Sequence, residues 1–221
     1  MLPFFKEQFC EGMIFLHLKK QWFYWLLPLF VIYLLIVPSQ SQILAEGAAD
    51  LSKIIDVFDS AKIYLLLFAV WNMYLAMKLF LRKDTREVTY SLPWINKSVW
   101  CIIFQIFYLL LTLPYLIWLW NGTRAAGYEK NAAVLIFQMV IISCFSFLGS
   151  AISRSALGGL AIGCGYILLN VGVKSIPDCV NLMRLGELEA FFTFDWYIIQ
   201  IIWGAASLLG GAILEKKKYF I

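Results

Sequence analysis

The sequence predicts an all-α membrane protein: a single domain, 1–221, of six transmembrane helices preceded by a helix lying in the membrane interface. Three observations carry that fold class. Apolar residues make up 62% of the chain and charged residues only 14%, where a soluble domain carries roughly a quarter charged. The apolar residues collect into six runs, 22–37, 63–81, 99–120, 132–152, 156–173 and 196–214, each near the roughly 20 residues that a spanning helix needs. Basic residues are then distributed unevenly between the two sides that these runs define. With the N-terminus inside, twelve of the eighteen Lys and Arg fall on the inner side with five acids, and six fall outside with nine acids, a net of +7 against −3. The Lys/Arg excess sets orientation, so both termini are expected in the cytoplasm. The overall charge of +4 belongs to that topology and implies no nucleic-acid partner.

Residues 1–21 are too charged to span. Leu2, Phe5, Phe9, Met13 and Leu16 share one helical stripe, the pattern of a helix lying in the interface among membrane lipids. A signal peptide is the alternative. A preamble of this length containing Glu7 and Glu11, followed by a Trp-rich run, is a poor match to one.

The first span is expected to end at Pro38, before the polar Ser39-Gln40-Ser41-Gln42. Glu46, Asp50, Asp56 and Asp59 then interleave with Ile54, Ile55 and Phe58, so the second helix is expected to begin outside the bilayer. Its span carries Trp71, Asn72 and Tyr74. An Asn in a span either hydrogen-bonds a neighbouring helix or lines a polar path, and both readings stand at this point.

The stretch from Arg82 to Lys97, RKDTREVTYSLPWINK, is the densest cluster of charge in the chain. Pro93 cannot continue a helix through its own position, so the loop is expected to bend there and re-enter as the third span. Arg82, Lys83 and Arg86 also suit anionic headgroups, as juxtamembrane basic residues do. The third run contains Pro114, which is expected to kink its outer half, and ends in the sequon-like Asn121-Gly122-Thr123, read as an ordinary turn.

The later runs change character. Ser143, Ser146, Gly149, Ser150 and Ser153 mark the fourth; Ser155, Gly159 and Gly163, with Ala161 and Gly165, mark the fifth; Gly204, Ala206, Ser207, Gly210 and Gly211 mark the sixth. Small residues at a spacing of four let helix backbones approach closely. Between the fifth and sixth runs, 175–195 is half apolar but broken by Pro177, Arg184 and Gly186. It is either an amphipathic surface loop or a pair of short re-entrant helices.

The central loop carries a resemblance. Arg82, Asp84, Thr85, Arg86 and Glu87, then Ser91-Leu92-Pro93 and Lys97, are similar to the cytoplasmic coupling segment of permease subunits of type-2 ATP-binding-cassette (ABC) exporters. The six runs and the N-terminal helix resemble the topology of the same family. The chain departs from it in lacking a Gly before the acidic residue and a Ser-Arg after Pro93, where Trp94-Ile95-Asn96 stands. The resemblance implies a type-2 ABC exporter-like fold in a bacterial plasma membrane. It implies that Arg82, Asp84, Thr85, Arg86 and Glu87 dock a separate ATPase subunit, which binds the ATP and Mg²⁺. It also implies a second permease subunit, the same or related, meeting this one through the first, second and fifth spans. Trp71, Asn72, Tyr74 and Asn170 would then line the translocation path, with Trp71, Asn72 and Tyr74 opposite a face of Gly159, Gly163 and Asn170 that packs helices or the dimer. A path with aromatic walls suits a hydrophobic or amphipathic cargo such as a peptide, lipid or drug. Residues 175–195 would cap its exit.

Absences narrow the alternatives. No G-x-x-x-x-G-K-[ST] loop is present, so the chain is not expected to bind ATP as a motor domain does, nor to be an enzyme by itself. The sole histidine, His17, precedes the first span, and none of the six runs holds an acid. That disfavours a His-dependent intramembrane protease or lipid phosphatase, a proton-coupled carrier and an aspartyl protease. The five cysteines are dispersed, which implies no disulfide framework, metal cluster or resident cofactor. A six-helix substrate-binding subunit of a vitamin-uptake system, and a membrane enzyme or immunity protein, remain as other classes.

Overall fold

The computed structural model describes residues 22–47, 50–81, 97–124, 127–173, 177, 180–188 and 195–217, and all regular structure among them is helical. Helix α1 covers Trp22–Ala45 as one apolar span. It is followed by α2 (Leu51–Leu81), α3 (Lys97–Thr123), α4 (Asn131–Ser153), α5 (Ala156–Gly172) and α6 (Asp195–Lys217). By length and composition α1 to α4 can each cross a membrane, which makes the chain a multi-pass membrane protein. The apolar helices Ala156–Gly172 and Ile198–Leu214 are shorter.

The expected end of the first helix at Pro38 is corrected: the chain stays helical as far as Gly47. A proline inside an α-helix lacks the amide donor and clashes with the carbonyl four residues earlier. Here the five residues Ile32–Ile36 form a π-helical turn, and the Val37 amide bonds to Ile32 O, five residues back. The wider turn makes room for Pro38, and such single-turn π segments are a known way for a helix to absorb an irregularity. The third helix likewise runs unbroken through Pro114 to Thr123. Asn121-Gly122-Thr123 is therefore helical and not a turn, with Thr123 buried and its hydroxyl donating to Leu119 O at 2.8 Å.

Helix α2 is the axis of the bundle. Its 31 residues rise about 46 Å, longer than a hydrocarbon core of roughly 30 Å. Val57, Phe58, Leu66, Ala69, Val70 and Ala76, on different sides of it, are all fully buried. Helix α3 meets α2 antiparallel: Tyr108 donates to Leu65 O at 3.1 Å, and Asn72 donates to Phe104 O at 3.1 Å. Near its start, Gln40 of α1 donates to Val57 O (3.0 Å) and Ser60 Oγ (2.8 Å) and accepts from Tyr115 OH at 2.7 Å. That buried amide ties three helices together.

Helices α4 and α5 form the tightest pair. Ser153 and Ala156 are separated by two residues: Arg154 in the left-handed region at φ 56° and Ser155, whose hydroxyl caps α5 by accepting from the Leu157 amide. Ser155 is thus a cap and not part of the small-residue stripe. One end of the bundle gathers the start of α1, the end of α2, the start of α3, this turn and the end of α6, with Lys78 and Arg154. The opposite end holds Asp50, Asp56, Asp59, Glu129 and Glu187 together with Lys53, Lys62, Arg124, Lys130 and Arg184, and its acidic excess is the one counted over the whole sequence.

Candidate functional site at the acidic end of the bundle

Residues 180–188 turn their middle inward and keep their flanks exposed, with Val180 at 46% and the Glu187 side chain at 55% exposure. Leu182 and Met183 are completely buried, and Arg184 is 7% exposed. Irregular backbone at this depth must have its amides and carbonyls satisfied by protein, and side chains from three helices do so. From α4, Gln138 Nε2 donates to Leu182 O at 2.7 Å. From α5, the Tyr166 hydroxyl donates to Val180 O, and Asn170 Oδ1 accepts from the Met183 amide at 3.4 Å. From α2, Lys62 Nζ donates to Arg184 O at 2.7 Å and Glu187 O at 3.2 Å.

Lys62 is the centre of this arrangement. Only 4% exposed, it pairs with Asp59 one turn earlier at 3.2 Å, and Asp59 Oδ2 accepts from the Gly186 amide at 2.6 Å. Gly186 sits at φ 80°, a conformation glycine adopts freely and other residues rarely do. That twist presents its amide to Asp59. A charge pair therefore grips three backbone groups of one loop segment, and Arg184 Nη1 braces the same turn against Glu187 at 3.5 Å. The segment is a plug, clamped over α2, α4 and α5. Its described residues, 177 and 180–188, are irregular and not helical, with Leu182 and Met183 buried and Val180, Gly186 and Glu187 exposed, while 175–176, 178–179 and 189–194 lie outside the described residues.

Of the expected path residues, Trp71 and Tyr74 stand together, with ring centroids 5.5 Å apart, while Asn72 and Asn170 bond to other parts of the chain. Helix α2 does meet α5, but through Val70: a β-carbon on Gly163 would lie 2.6 Å from both Val70 methyl carbons. Asn72, two residues on and so about 200° around the helix, faces α3. The Trp71 indole donates to Tyr24 O of α1 at 3.1 Å. Tyr74, one turn from Val70 on the same side of α2, stacks near Trp71 and lies under Lys78 Nζ at 5.6 Å. Asn170 is seven residues beyond Gly163, about 10 Å towards the acidic end, where the plug occupies it. Asn72 thus plays the helix-linking part of its two readings. Gly159 turns to α4: a β-carbon there would collide with Ser146 O and Ser150 Oγ, and Ser146 Oγ donates to Gly159 O at 3.0 Å. Both glycines pack helices of the same chain. Arg82, Asp84, Thr85, Arg86 and Glu87, and the N-terminal segment 1–21, lie outside the described residues.

Sequence reasoning missed Gln40, Asp59, Lys62, Gln138 and Tyr166. The one local signal was Asp59 and Lys62, a pair at i, i+3 among apolar residues. Among the described residues no group of three or more His, Cys, Asp or Glu stands close enough to hold a metal, and Cys101, Cys144 and Cys164 are free thiols. Family models, curated proteins and solved structures were all compared with the chain, and none matches it.

Proposed function

We propose that this chain is the transmembrane half of an ATP-driven exporter, with all six helices in the plasma membrane and both termini cytoplasmic. In this reading a second permease subunit completes a path for a hydrophobic or amphipathic cargo. A separate ATPase, carrying the ATP and Mg²⁺, docks on Arg82, Asp84, Thr85, Arg86 and Glu87. The observation that supports it best is the plug at 180–188. Non-helical backbone is costly at membrane depth and is retained where a protein needs a closure or a lined path. Its anchors are side chains, which can be exchanged without unwinding a helix. The basic end, opposite the plug, is where a motor would push.

The test uses the tagged full-length chain purified in mild detergent from its native membranes. The expected result is co-purification of a phosphate-loop ATPase with measurable ATP hydrolysis. Changing Asp84 and Glu87 together to Lys should remove both while the subunit stays monodisperse. A preparation without ATP hydrolysis, or one whose ATPase content and hydrolysis are untouched by the double change, refutes the reading.

A further inference from the structure

At the basic end, α1 and α3 enclose a groove of about 420 Å³. Its floor is Phe104, 7% exposed and held between Trp25 at 4.9 Å and Trp100 at 6.2 Å. Stacked aromatic rings of this kind give a wall that does not collapse when empty. Its rim is Trp22, Ile103 and Phe107, each about half exposed, with Leu26 completing the α1 side. Every lining side chain is aliphatic or aromatic.

We propose that this groove binds one acyl chain of a membrane phospholipid. Three features select that occupant. A purely hydrocarbon and aromatic lining offers nothing to a peptide backbone or a headgroup, whose polar atoms would be buried without partners. The groove has a direction: Trp22 and Trp100 lie nearest the basic end, and Leu26 and Phe107 lie about 6 and 10 Å deeper along their helices. That depth is about two thirds of one leaflet's hydrocarbon thickness of roughly 15 Å. Indoles sit by preference at the membrane–water interface, so the two end tryptophans meet the glycerol-ester region and the deeper side chains meet methylenes. The proposal rests on membrane embedding and not on the transport reading.

The full-length chain is reconstituted in phosphatidylcholine bilayers doped with a phosphatidylcholine carrying a diazirine midway along one acyl chain. Photoadducts are then mapped by mass spectrometry. Leu110 of α3 and Leu168 of α5, at 60% and 68% exposure, report ordinary lipid contact. Adducts on Ile103, Phe104 and Phe107 should exceed those on Leu110 and Leu168 several-fold. Filling the groove with Ile103→Trp should lower them several-fold while Leu110 labelling holds. Leu26→Trp, which fills it from α1, is the second variant should the first not fold. Groove labelling no higher than at Leu110, or labelling indifferent to both fillings, would each overturn the proposal.

Discussion

Lys62→Met asks whether the plug is held by the clamp or merely lies on the helices. Methionine keeps the length and apolar stem of lysine but removes three donors. Arg184 O, Glu187 O and Asp59 Oδ1 each lose a partner at 2.7 to 3.2 Å. Breaking a buried ion pair costs about 3–5 kcal/mol. Asp59 is 22% exposed, so water recovers part of that, and about 3 kcal/mol remains as a working figure. The loss falls on the docked plug and not on the helices, because the substituted methionine still fills the same apolar space. At 1.4 kcal/mol per decade, the undocked population should rise roughly a hundredfold. Met183→Cys, in a background with the five native cysteines replaced, reads that population through its rate of reaction with a membrane-impermeant maleimide. When opening is fast relative to reaction, the rate follows the open fraction. Lys62→Met should speed labelling by about two orders of magnitude. Asp59→Asn, which keeps an acceptor for the Gly186 amide, should speed it less. A Lys62→Met rate indistinguishable from the parent's would show that Gln138, Tyr166 and Asn170 suffice and that the charge pair is not the clamp.

Two further outcomes follow from the packing and the caps. Gly163→Ala should destabilise the chain by about 1–3 kcal/mol, the usual range for overpacking, and Val70→Ala should restore it, because the three nearest atoms all belong to that side chain. Gly159→Ala should cost more and resist rescue by Ser150→Ala, since the Ser146 carbonyl is backbone and cannot withdraw. Thermal unfolding in detergent measures both, and a rescue pattern the other way round would mean that the helix contacts are misassigned. At the start of α2, hydrogen bonds from the Ser52 hydroxyl at 2.9 Å and amide at 3.0 Å hold the Asp50 carboxyl below its usual range. A depressed folded pKa stabilises above the unfolded value of about 3.9, and the contribution is lost as pH falls through the folded value. Hydrogen-exchange protection of the first turn of α2 should therefore drop on acidification, and Asp50→Asn should abolish that pH dependence.

The helices were legible in the sequence because hydrocarbon burial is written locally. Each of the six apolar runs lies on a helix. The fifth run's Gly159 and Gly163 correctly signalled close approach. The boundary at Pro38 was misread because proline's local penalty is real, and only the π turn before it shows how the helix absorbs it. Which helix each small or polar residue meets was not legible. A step of one residue turns the helix by about 100°, so Val70 rather than Asn72 meets α5, and composition does not encode that angle. The plug was the least visible feature. Lys62 reaches Arg184 and Glu187 across 122 and 125 residues of sequence, and what it grips are backbone carbonyls, which every residue possesses. The sequence thus determined that these segments are helices and that they belong in a membrane. Tertiary packing alone decided that the middle of an irregular stretch, Leu182 to Arg184, is buried, by bringing donors from three helices to carbonyls that would otherwise need water.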